Sequence, residues 1–423
     1  MKVRVSARKL ADVLSSACND KFKQECTLEA LQDKLVIRVS DGVSYSEISM
    51  QATVEETGTI NVFVPMLARL LKTIGSDKVT LFPHKEMARL VVQLDNGAQY
   101  LLPLGFNRNG ADDNDAFSAQ VTERMAQATP FISFNNAGVW TECGNAVKPY
   151  RGEWDFNYIW IIPLRKQPEW AMSEVVAAVA ATDQTIFAAS LLTSQQAEVL
   201  TDEDAVLLIP PAMTAFEVRS FAYASKDDDR QYVYAILDEG YVCAPTVKHP
   251  SEHYHRVAHN LLFAPASVQL QIPRPIWQHL KKAIQAYAER RVKYSRTANA
   301  RWDICPDGTH RIWSAVENDV LFTSEKITIE GTLPQTFTFW VSLLEKAVKF
   351  IPAPSIIELI PQQNTCMMRL HDQFNYRICV LMSMVADSDY DSFRESQREM
   401  RSNAVTTDAS EEDETEVSEY AEI

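Results

Sequence analysis

The sequence predicts an α+β chain of three repeated domains, each made of two strand-helix-meander half-units, with helices on one side of the core and antiparallel sheets on the other. Three observations predict it. An apolar strand runs into a helix of about three turns and then into short strands, and this order recurs along all 423 residues. Polar turn clusters such as Asp95-Asn96-Gly97 separate the strands of each meander. One such unit cannot bury both its sheet face and its helix stripe, so two of them must share a core.

The clearest unit starts at Ile60–Val64 and continues into a helix from Pro65 to Ile74, with Leu67, Leu70, Leu71 and Ile74 at helical spacing. Pro65 suits a first helical position, where its missing N–H costs nothing. Strands Lys78–Phe82, Ala88–Leu94 and Gln99–Leu104 follow. The same order reads from Val206–Ile209 through Pro210-Pro211 into a helix Ala212–Ala222, and from Thr336–Phe339 into a helix Trp340–Phe350. Looser versions precede each of these. They start at Val3–Val5 with helix Ala7–Cys18, at Phe131–Phe134 with helix Ala137–Val147, and at Gln269–Ile272 with helix Pro275–Lys293.

Punctuation then sets the expected boundaries: a first domain over 1–105, a polar aperiodic linker over 106–129, a second domain over 130–262, a third over 263–386 and an acidic disordered tail over 387–423. Tail composition is too polar to offset the entropy of ordering it.

Composition narrows the function classes. Apolar residues at 46% and charged residues at 23% are those of an ordinary globular protein. No signal peptide or membrane-length apolar run is present in the sequence, which predicts a soluble, cytoplasmic protein without a membrane partner. Seven scattered cysteines without a Cys-x-x-Cys pair support neither a disulfide framework nor a zinc ribbon. With only 12 glycines and no phosphate loop, dinucleotide fingerprint or hydrolase elbow, the sequence predicts no enzyme, no catalytic residues and no cofactor. His249, His253, His255 and His259 cluster, but without cysteines they are expected to form a solvated, pH-sensitive loop and no metal site.

The net charge is −15, of which the tail carries −10 and residues 1–386 only −5. Basic residues concentrate on the predicted helices while acids are sparse there: Arg8 and Lys9, with Lys21 and Lys23 just beyond; Arg69 and Lys72; Lys148 and Arg151; Arg219; Lys281, Lys282 and Arg290; Lys346 and Lys349. Charged helix faces are ordinarily just solvated, but recurrence on every repeated unit predicts phosphate contact without sequence readout, because no aromatics interleave with the cations.

Several segments, in order, resemble one family. They are Leu35–Gly42 followed by Gly58–Ile74, the Ala-Thr-Asp-Gln-Thr-Ile-Phe-Ala run at Ala181–Ala188, the segment His249–Val257 and the strand Tyr376–Met384. Together they resemble the three-domain bacterial DNA polymerase sliding clamp, the beta subunit of the replicative polymerase. The resemblance implies a homodimeric ring, helices inside and sheets outside, that encircles double-stranded DNA as a processivity factor. It also implies DNA polymerase, a clamp loader and other proteins with clamp-binding motifs as partners, which insert a hydrophobic peptide into a pocket mapped here to Phe187, Pro250, Tyr254, Arg256, Val257, Val380 and Met382. Gln184 and Ile186 stand where the family has Gly and Arg, Ser383 stands where it has Pro, and 39 residues follow Met384, so the chain reads as divergent. A second reading stays open at this point: a clamp-derived interaction module that binds replication proteins without encircling DNA.

Overall fold

The computed structural model describes residues 1–17, 25–40, 44–74, 77–105, 111–153, 156–167, 169, 171, 173–226, 230–246, 252–288, 300–314, 319–362 and 365–383. Lys21, Lys23, Pro250, Arg290 and the acidic tail therefore lie outside the described residues. The described residues divide into two compact units, Met1–Ala264 with His371–Cys379, and Pro265–Leu370 with Val380–Ser383. The fold is α+β with antiparallel sheets.

Seven α-helices are described: α1 (Ala7–Ala17), α2 (Val64–Thr73), α3 (Ala111–Ala126), α4 (Gly138–Val147), α5 (Glu252–Phe263), α6 (Arg274–Ala288) and α7 (Val341–Phe350). In the first unit, α1 and α2 are amphipathic and share one core. Leu10, Leu14, Leu67 and Leu71 face inward, against Val3, Val5, Leu28 and Val79 of the flanking strands. That core lies between two sheets. One runs Thr53–Glu56, Lys2–Ser6, Lys78–Pro83, Arg89–Leu94, Gln99–Pro103. The other has nine strands, in the order Ala197–Val199, Thr129–Phe134, Ser220–Lys226, Arg230–Leu237, Gly240–Thr246, Tyr45–Gln51, Lys34–Ser40, Glu25–Leu31, Gly58–Phe63.

In the nine-stranded sheet the strand Gly240–Thr246 pairs with Tyr45–Gln51 through Gly240↔Ile48, Tyr241↔Glu47 and Cys243↔Tyr45. Its register depends on Gly240. At φ +152 its backbone approaches so closely that a Cβ there would lie 2.0 Å from the Glu47 carbonyl oxygen.

The predicted linker contains α3. Val121 and Met125, one turn apart, pack on Tyr45, Tyr232, Tyr234 and Tyr241 of that sheet. Thr122 Oγ1 lies 3.1 Å from the Tyr241 hydroxyl, and the Tyr234 hydroxyl donates to the Val121 carbonyl at 3.3 Å. A stripe this narrow is enough for a helix that lies flat on an aromatic face.

A third sheet of the first unit runs Leu207–Ile209, Ile159–Pro163, Val175–Thr182, Ile186–Thr193. Segment 371–379 docks beside it, the Leu191 N–H donating to the Tyr376 carbonyl at 2.7 Å. In the second unit, α6 and α7 pack together, with Trp277, Leu280 and Ile284 buried on α6 and Leu344 and Val348 on α7. One sheet there runs Asp319–Thr323, His310–Ser314, Ala300–Ile304, Phe337–Trp340, and Val268–Gln271 lies between Ile356–Pro361 and Thr328–Gly331.

Two expectations need correction. The fourth half-unit does not contain the helix Ala212–Ala222 but a single 3₁₀ turn, Pro211–Ala215. From Phe216 the chain alternates, with Phe216 and Val218 buried and Glu217 exposed, so a period of two wins and the chain enters the strand Ser220–Lys226. The predicted loop through His253 and His255 is α5: His255 is buried and its ring Nε2 lies 3.2 Å from the Pro163 carbonyl oxygen.

Candidate nucleic-acid interface and partner pocket

Each amphipathic helix that buries one stripe must expose the other. On α1 the exposed stripe carries Arg8 and Lys9 together with Asp12, and on α2 it carries Arg69 and Lys72, with no acidic residue on α2. None of these four cations has an ion pair among the described residues. α6 presents Lys282 fully and Lys281 half-buried, again without an acid on the helix. α7 exposes Lys346 and Lys349, the latter in an ion pair with Glu345 one turn earlier. These helices therefore form two cationic layers, α1 with α2 in the first unit and α6 with α7 in the second.

The stretch around α4 differs. α4 has no lysine or arginine within Gly138–Val147 and carries Glu142. Its packing partner is the uncharged 3₁₀ turn: the Trp140 indole N–H donates to the Met213 carbonyl at 2.9 Å, and Gly144 lets Thr214 approach to where a Cβ would be 2.9 Å from its methyl group. Lys148 and Arg151 follow α4 but turn inward. Lys148 Nζ donates to Thr214 Oγ1 at 3.0 Å, and burial, with Arg151 beside it, lowers its pKa. Arg151 donates to the Lys148 carbonyl at 2.9 Å and to Asn157 Oδ1 at 2.8 Å. Arg219 is not on a helix. It leads into a strand and grips Asp238 with two hydrogen bonds. A cavity of about 210 Å³ runs along α4, with Cys143 and Ser190 in its wall, half-buried Arg377 beside them and the Phe374 ring 79% exposed at its edge.

Of the residues assigned to a partner pocket, Phe187 and Tyr254 belong to one aromatic cluster. Trp160 stands between them, its ring centroid 5.0 Å from Tyr254 and 6.3 Å from Phe187, and Phe156 lies 6.2 Å from Tyr254. Trp160 and Phe156 were not among the predicted site residues; Trp160 is carried by the strand Ile159–Pro163, and no motif in the sequence tied it to Tyr254. Phe187 and Trp160 are buried, Tyr254 is half-buried, and Arg256 and Val257 are exposed on α5. The exposed edge of the cluster is thus one face of α5, set by a strand-borne aromatic floor. Val380 is buried and Met382 half-buried on the strand Arg377–Met382, in the second unit.

The turn before Phe187 is built by Asp183, whose Oδ1 accepts from the Thr185 and Ile186 N–H groups at 3.0 and 2.9 Å and from the Thr185 hydroxyl at 2.6 Å. Turn formation therefore accounts for this carboxylate. Gln184, at φ +76, occupies the left-handed position of that turn.

This arrangement of antiparallel sheets and paired helices is the fold of the bacterial sliding clamp. Solved structures with it include the beta subunit of DNA polymerase III from Thermotoga maritima, at TM-score 0.64 and 12% identity over 90% of this chain and 99% of that one. The beta subunit from Pseudomonas aeruginosa has TM-score 0.64 and 13% identity, covering 91% of this chain and 100% of that one. The Pseudomonas aeruginosa sliding clamp bound to griselimycin has TM-score 0.63 and 13% identity, covering 91% of this chain and 99% of that one. No protein-family sequence model and no curated protein sequence matches the chain. Among the described residues no helix is long and apolar enough to cross a membrane.

Proposed function

We propose that this chain is a DNA polymerase processivity factor with no catalytic role of its own: a sliding clamp whose protomers close into a ring around duplex DNA and tether a polymerase to its template. The observation that carries this reading is the pairing of amphipathic helices into cationic layers within a clamp fold. Lysine and arginine heads on a solvated surface attract phosphates without reading bases, and such contacts exchange quickly with water and counterions. Enclosure then replaces affinity, and the body of the chain needs no strong net positive charge.

Two open sheet edges support closure as a homodimer. Gln99–Pro103 ends one sheet of the first unit with Tyr100 and Leu101 40% and 48% exposed, and Asp319–Thr323 ends a sheet of the second unit with Val320 54% exposed. Apolar, unpaired edges invite strand addition, and joining one kind of edge to the other head to tail closes a ring when the rotation permits. The proposed division into three repeats per protomer makes a two-protomer ring of six repeats.

The aromatic cluster around Trp160, together with Val257 on α5, is proposed as part of the seat for a hydrophobic peptide of the polymerase, the clamp loader and other partners. Aromatic side chains offer large apolar contact area to such an anchor. Primer extension on a long single-stranded template, with the partner polymerase and loader, tests the reading: the protein lengthens the products made in a single binding event. Products of unchanged length would contradict it.

A further inference from the structure

Resting on the clamp reading, we infer that duplex DNA is borne by the helices of the outer repeats, α1, α2, α6 and α7, and that the middle repeat around α4 is a neutral stretch that DNA does not lean on. The sequence alone suggests an even distribution of cations over six helices, and the structure breaks that evenness. One predicted helix is a 3₁₀ turn, Pro211–Ala215, without charge. α4 offers Glu142 and no cation. Each of the three cations predicted for the middle repeat is committed to its own fold: Lys148 to Thr214, Arg151 to Asn157 and the Lys148 carbonyl, Arg219 to Asp238.

By contrast Arg8, Lys9, Arg69 and Lys72 stand exposed with no ion pair among the described residues, and Lys282 is exposed on α6, a helix without an acid; on α7 Lys346 is exposed and Lys349 pairs with Glu345. Phosphates move toward free, hydrated cations and gain little where the cations are already hydrogen-bonded. Alongside α4 the surface instead offers an exposed carboxylate and the Phe374 ring, with Arg377 half-buried in the cavity wall. A ring built from such protomers would hold DNA against two kinds of wall and leave the third clear for traffic.

Two arms test this. A photo-cross-linking residue is placed singly at Lys9, Lys72, Lys282 or Lys346, and at Asn145 or Ala212, in the full chain assembled with its loader on nicked circular duplex. The inference expects DNA adducts at the first four positions at least tenfold above the last two. Equal adducts at Asn145 and Ala212 overturn it while leaving the clamp reading intact, and absence of adducts everywhere overturns both. In the second arm, binding to a short linear duplex is followed against salt. Arg69→Gln with Lys72→Gln lowers the slope of log affinity on log salt by about 0.9 per lost contact. Lys148→Gln with Arg151→Gln leaves the slope unchanged, and a loss as large as that of the first pair contradicts the inference.

Discussion

Arg219 and Asp238 form a two-pronged pair, the Arg219 Nε donating to Oδ1 at 2.7 Å and a terminal guanidinium nitrogen to Oδ2 at 2.9 Å. The pair raises the Arg219 pKa and lowers that of Asp238, in both cases through the shared hydrogen bonds first. A lowered carboxylate favours the fold above its unfolded pKa of about 3.9, and that contribution is lost as pH falls through the lowered value. Arg219→Gln should return the Asp238 carboxyl toward its ordinary range in an NMR titration, with DNA affinity unchanged. A large loss of DNA affinity would show that Arg219 does reach phosphate.

Tyr254 sits 5.0 Å from Trp160 at the half-exposed edge of the aromatic cluster. Tyr254→Ala removes that edge while leaving the buried Trp160 and Phe187 in place. The affinity for a short hydrophobic clamp-binding peptide should fall about tenfold, equivalent to about 1.4 kcal/mol, by fluorescence anisotropy. Unchanged affinity would move the seat elsewhere.

Much of this was legible beforehand, and the failures have physical causes. α2 was expected at Pro65–Ile74 and lies at Val64–Thr73, because four apolar residues at helical spacing and a proline at the start leave little choice. α5 was hidden because its buried stripe is His255, Ala258 and Leu262, one member of which reads as polar. α3 was hidden in the same way, its described contacts with the sheet resting on Val121 and Met125 in an otherwise polar run. The fourth helix was overread from Pro210-Pro211, a start signal with no continuing stripe. Exposed cations on α1 and α2 could be read from spacing; the hydrogen bonds that hold Lys148 to Thr214 and Arg219 to Asp238 depend on partners distant in sequence, which no local pattern contains.

Gln184 offers a test of backbone strain. It holds φ +76 while its N–H donates to Thr182 Oγ1 at 3.1 Å, in the position where the resembling turn has glycine. Left-handed backbone costs an L-residue about 1–2 kcal/mol, partly offset by the greater freedom of glycine in the unfolded chain. Gln184→Gly should therefore stabilise the fold by about 0.5–1 kcal/mol in denaturant unfolding. Destabilisation would mean that the Gln184 side chain makes a contact worth more than the strain.

His310 is fully buried and its tautomer is determined by its neighbours. The Trp302 indole N–H donates to Nδ1 at 3.2 Å, so the proton of the neutral ring is on Nε2, which lies 2.9 Å from the Ser324 hydroxyl. Ser324 therefore receives a proton donor rather than a base, and the pair is structural. Burial lowers the His310 pKa, opposed by the backbone of Glu325, and the Phe322 ring packs nearby. Its contribution to stability is present above the unfolded value of about 6.5 and is lost as pH falls through the lowered folded value. His310→Gln should flatten the acid side of the stability profile below about pH 6.5. An unaltered profile would show that other groups set it.

The central claim is that grip comes from enclosure, and topology tests it most directly. The protein is assembled with its loader on nicked circular duplex, separated from free protein, and the circle is then cut once. The account predicts that protein stays with the intact circle and runs off after cutting, when an end is available. Equal retention on circular and linear DNA, or no retention on the circle, would contradict it.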